Sequence, residues 1–78
     1  MLRRFISFYK KNDNKLAGEI PVNIDINTLQ KKYNNEIDPM MFHVYPVKPE
    51  DADFFLQFID SDKFDFLNFD YFLECCKE

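Results

Sequence analysis

The chain has 78 residues, a formal net charge of −4, one glycine, one histidine and two cysteines. That length sets one domain, over 1–78, as the expectation, and no apolar run nears the ~18 residues that cross a membrane. A lone glycine excludes phosphate-cradling glycine-rich loops, and two cysteines do not build a secreted disulfide framework.

"LRRFISFYK" (2–10) is rich in strand-forming residues. Its alternation puts Leu2, Arg4, Ile6 and Phe8 on one face and Arg3, Phe5, Ser7 and Tyr9 on the other. "KNDN" (11–14) is turn chemistry, because Asn and Asp tolerate the left-handed region and bond their own backbone. "KLAGEIPV" (15–22) returns, with Leu16, Gly18, Ile20 and Val22 on one face, so the two stretches read as a β-hairpin. Pro21 lacks an N–H and marks an edge, a bulge or the strand end.

"DINTLQKKYN" (25–34) reads as a short helix with Asp25 as N-cap and Lys31 and Lys32 near its C-terminus. Asn34 and Asn35 end it, and "NEIDP" is a loop. "MMFHVYPV" (40–47) reads as a third strand closed by Pro46. "PEDADFFLQFI" (49–59) reads as a second helix, with Pro49 at its first position and an apolar stripe of Ala52, Phe55, Leu56 and Ile59. "DSDK" (60–63) is a polar loop.

The last stretch, "FDFLNFDYFLECC" (64–76), fits two templates. A two-residue period over 67–75 lines up Leu67, Phe69, Tyr71, Leu73 and Cys75 as a core face. A helical period lines up Phe66, Phe69, Leu73 and Cys76, with Asp65 as its cap. The weight of Phe and Tyr favours the strand. Phe64, Phe66 and Phe72 are then surplus to the core face. The order β-β-α-β-α-β predicts an α+β domain: a mostly antiparallel four-stranded sheet with two helices on one face. Ten Phe and four Tyr supply the bulk that such a small core needs.

Charge is divided along the chain. Residues 1–49 carry eight Lys/Arg and five Asp/Glu, a net of +3; residues 50–78 carry two Lys and nine Asp/Glu, a net of −7. An acidic half disfavours nucleic acid, whose phosphates need clustered cations, and suits a basic protein. The basic start is followed by no long apolar segment and no small-residue cleavage site, so a cytoplasmic protein is expected.

No residue set reads as a catalytic or cofactor site. His43 has no nucleophile spaced around it. Cys75 and Cys76 fall on opposite faces of a strand, which excludes a shared metal without a bulge, and two reduced thiols are expected. "DSDKFD" begins like a calcium loop at Asp60 and Asp62, but Phe64, Asp65 and Tyr71 stand where an acceptor, a glycine and a glutamate are required. No enzyme activity, cofactor or metal is therefore expected. The remaining feature is carboxylates set among rings. The expected protein-binding surface is centred on Asp60, Asp62, Phe64, Asp65 and Asp70, with the ring as anchor and the acids as partners for Lys or Arg.

"LAGEIPV", "MFHVYPV" and "FDYFLECC" together resemble a small bacterial domain family of unknown function. In size, acidity and lack of a site the chain is also similar to immunity proteins of contact-dependent inhibition and related bacterial toxin systems. That similarity implies a protein that binds and blocks a basic toxin domain, such as a nuclease. It carries no site residue across. The alternative is a stand-alone regulatory domain, or a homodimer that buries the surplus rings.

Overall fold

The computed structural model describes residues 2–77. Strand β1 (Leu2–Lys10) turns through residues 11–14 into β2 (Leu16–Pro21). Helix α1 (Ile26–Tyr33) follows, then a long connection, the short strand β3 (Tyr45–Val47), a 3₁₀ turn (Pro49–Asp51) running into α2 (Ala52–Leu56), and finally β4 (Phe69–Lys77). The strands form one antiparallel sheet in the order β2-β1-β4-β3, so the first and last strands are the central pair. This is the α+β architecture the sequence predicts, in the expected order.

Local chemistry explains the well-placed boundaries. Asp25 caps α1 by accepting the Thr28 N–H at 2.7 Å, and Asn34 closes the helix at φ 48° with its N–H on the Gln30 carbonyl. Asn14, at φ 58°, takes the left-handed position of the hairpin turn. The Asp51 carboxylate accepts the Lys48 N–H at 3.0 Å and seals the start of the 3₁₀ turn behind Pro49.

Both helices pack on the same side of the sheet. The core joins Ile6, Val22, Val47, Tyr71 and Leu73 to Leu29 of α1 and Phe55 of α2, with Met41 from the connection. Phe69 is half-buried beside this core, and Phe8 stacks on Tyr71 at 5.4 Å. The facing expected of Leu2 lies outside the described side chains.

Five expectations are corrected. The strand expected over 40–47 pairs only at Tyr45–Val47. Upstream of it Met41 sits at φ 52°, with its N–H on the Asp38 carbonyl, and the chain turns into the core instead of extending. The helix expected over 49–59 ends at Leu56. Beyond it the Asn23 N–H bonds the Phe58 carbonyl and Val22 bridges Ile59, so pairing with the segment after β2 draws the chain out of the helix. The last strand starts at Phe69 and runs past Cys75 to Lys77. Leu67, expected in the core, stands at the tip of the preceding turn and is 84% exposed. In the hairpin, the register steps from Phe8↔Gly18 to Tyr9↔Leu16. Ala17 is the extra residue of a bulge, and Leu16 is thereby moved off the core face.

Candidate functional site

With both helices on one side, the other side of the sheet is helix-free. The register places the partners on it: Phe5 opposite Glu74, Ser7 opposite Phe72, Tyr9 opposite Asp70, and Glu19 of β2 beyond Ser7. An outward sheet face ordinarily alternates to polar residues. Here three rings, Phe5, Tyr9 and Phe72, lie half-buried across its centre. Tyr9 and Phe72 meet edge to face at 5.8 Å, and the Arg3 guanidinium lies 5.3 Å from the Phe5 ring centre. Ser7, only 1% exposed, donates its hydroxyl hydrogen to Glu74 between them. At the hairpin end, Lys11 and Asp70 form a half-exposed ion pair at 3.1 Å.

The five residues read as a site from sequence do not gather on this face. Asp60 and Asp62 are exposed in the loop after α2. Phe64 turns inward: with Phe66 it packs on Tyr71, at 4.8 and 5.3 Å, on the helix side of β4. Asp65 shapes the turn before β4. Its carboxylate accepts the Asn68 backbone N–H at 3.3 Å and side-chain amide at 2.9 Å, while its own N–H donates to the Tyr71 hydroxyl at 3.0 Å. Asp70 alone lies on the helix-free face. Of the surplus rings, Phe64 and Phe66 extend the core and only Phe72 faces outward.

Besides Ser7, two buried polar residues were not singled out from sequence. Asp38 accepts the N–H groups of Phe42 (3.1 Å) and His43 (3.0 Å) and the Tyr45 hydroxyl (2.5 Å), while Asn35 accepts the Asp38 N–H and donates to Tyr45. Burial pushes the Asp38 carboxyl up, but those hydrogen bonds outweigh it and hold it below its ordinary value. The knot fixes a connection that presents Ile37, Phe42 and Val44 to solvent. The Asp-Pro step was its signal in the sequence. Arg4 is 7% exposed and donates to the carbonyls of Met41 (2.9 Å) and Met40 (2.6 Å). Its place in the core-facing set of β1 was the clue.

The remaining candidates are placed plainly. His43 is exposed on the connection. Cys75, half-buried, and Cys76, exposed, lie on opposite sides of β4. Among the described residues, no three His, Cys, Asp or Glu side chains are grouped to hold a metal ion, and no helix is long and apolar enough to cross a membrane. At the end of α1, Tyr33 has its hydroxyl enclosed without a partner, and burial together with the nearby Asp51 carboxylate pushes its pKa up.

A small antiparallel sheet, covered by helices on one side and carrying rings on the other, is thus the class that the geometry defines. Residues 3–74 match the family described as a domain of unknown function (DUF7683), and the chain belongs to it. No curated protein and no solved structure matches the chain.

Proposed function

We propose that this domain is a non-catalytic binding module that takes a basic protein partner on its helix-free sheet face. The row of Phe5, Tyr9 and Phe72 on an outward face carries the reading. Rings at the centre of a patch act as desolvated anchors, and a charged rim sets register and approach. Glu19, Asp70 and Glu74 border the rings, and the net charge of −4 favours a cationic partner. In its finer form the partner is a basic toxin domain and this chain is its immunity protein, a reading supported by the size, the acidity and the sequence resemblance.

The test uses the purified product of the gene adjoining that of this protein. Tyr9→Ser combined with Phe72→Ser is expected to weaken its binding by at least about 10-fold, the ~1.4 kcal/mol scale of an interface anchor, with an unchanged circular dichroism spectrum. Wild-type affinity in the double variant sinks the proposal.

A second reading is a homodimer through the same face. That face carries Arg3 as well as Glu19 and Glu74, and self-complementary pairing across a two-fold axis needs both signs. Sedimentation separates the two: a dimer that Phe72→Ser dissociates favours this second reading.

A further inference from the structure

We propose that the cleft where the hairpin's open end meets the segment after α2 binds the oxyanion of a small molecule, a carboxylate or a phosphate, on Arg4. The site is centred on Arg4, which lies on the core-facing side of β1, whereas Arg3 in the same walls belongs to the helix-free face. Two depressions, of about 550 and 310 Å³, share Arg3, Arg4, Val22 and Asn23 in their walls. Gln57 and Asp60 also line the larger, and Met40 also lines the smaller.

The driving force is an uncompensated buried cation. A guanidinium removed from water is ordinarily matched by a carboxylate. Arg4 has no carboxylate partner among the described residues; its two hydrogen bonds go to neutral carbonyls. Those bonds use two of the five guanidinium N–H groups and leave three. Among the described residues the one enclosed polar side-chain atom without a partner is the Tyr33 hydroxyl. Arg4 lines both depressions, so its side chain borders the cleft although the residue is largely buried. The two carbonyl bonds hold the guanidinium in place before any ligand arrives, which lowers the ordering penalty of binding. The Asn23 and Gln57 side chains line the same walls, the Gln57 amide donating to the Asp53 carbonyl at 3.3 Å. Asp60, exposed at the rim, opposes an anion and tunes the site towards weak, reversible binding.

The test follows the Arg4 Nε–H and Asn23 resonances by NMR while inorganic phosphate or succinate is added at constant ionic strength. Saturable shifts of both, with a Kd of about 1 mM or tighter, are the expected result, and the tighter of the two anions identifies the ligand class. Arg4→Lys keeps the charge but loses the planar fork, so binding is expected to fall at least about 10-fold. Asp60→Asn alters only the rim and is expected to tighten binding several-fold, which keeps the test valid if the Arg4 variant does not fold. Shifts that grow linearly without saturating, or an Asp60→Asn variant that binds no tighter than wild type, overturn the proposal.

Discussion

Asp38 gathers three donors at one carboxylate, and the connection from α1 to β3 takes its shape from that point. The cluster makes acid stability a test of the residue. Asp38 has a folded-state pKa below its ordinary 3.8, as do Asp25, held down by the Thr28 N–H, and Asp51. At Asp51 burial raises the pKa, but the Lys48 N–H and the Lys32 ammonium at 2.9 Å more than offset it. A lowered folded-state pKa stabilises fully above the unfolded value, and the gain is lost as pH falls below 3.8 towards the folded value. Urea midpoints should therefore hold steady from neutral pH down to about pH 5 and then drop. Asp38→Asn is expected to lower the midpoint at neutral pH and to make the acid drop shallower, with Asp25 and Asp51 supplying what remains. An acid drop as steep as in wild type would exclude Asp38 as a contributor.

The hairpin and the last strand set the tests at the scale of elements. Gly18 lies opposite Phe8, and a Cβ built there comes 2.8 Å from the ring's Cζ. Phe8 cannot swing away freely, because Phe69 meets it edge-on at 5.3 Å and Tyr71 stacks on its other side. The glycine is needed for space under a cross-strand ring. Gly18→Ala is expected to destabilise by about 1–3 kcal/mol through overpacking, measured by denaturant melts; a neutral change would mean that the ring moves at no cost. The leucine of β4 and the leucine of the turn before it behave oppositely. Leu73 is 1% exposed, and Leu73→Ala is expected to lose roughly 2–5 kcal/mol, which nearly unfolds a domain of this size. Leu67 stands in solvent, so Leu67→Ser should stay within about 0.5 kcal/mol of wild type. A large loss at Leu67 would return it to the core, where the alternation alone had put it.

For the molecule as a whole, the proposed binding role makes the charge division a matter of approach more than of fold. Asp60 and Asp62 are the acids to remove in testing attraction, since Asp65 shapes the turn and Asp70 pairs with Lys11. Replacing both with Asn is expected to slow association with a basic partner several-fold near 0.1 M salt, where the Debye length is ~10 Å, and to leave the rate unchanged at 1 M, where it is ~3 Å. Stopped-flow rates across a salt series read this directly. Rates equal to wild type at low salt would reduce this loop to solvated surface.

What the sequence determined by itself is whatever depends on near neighbours. The Asp25 cap, the Asn14 and Asn34 turns, the Pro49 start and the two-residue period of β1 and β4 all act within a few residues, so their chemistry is legible in order. The same holds for the fold class, which follows from the order of the elements. Tertiary structure decided the rest. Met40–Val44 reads as part of a strand in sequence, yet the Asp38 knot and the Arg4 bonds to Met40 and Met41 fold that segment over the core. Phe58 and Ile59 continue a helical stripe, yet pairing with Asn23 and Val22 ends α2 before them. Phe64 and Phe72 look alike in sequence, both rings among acids. One packs on Tyr71 and the other faces outward, because the turn that Asp65 holds sets the register of β4 and period two does the rest. Which ring faces outward is thus fixed by contacts that join distant parts of the chain, and no local pattern encodes them.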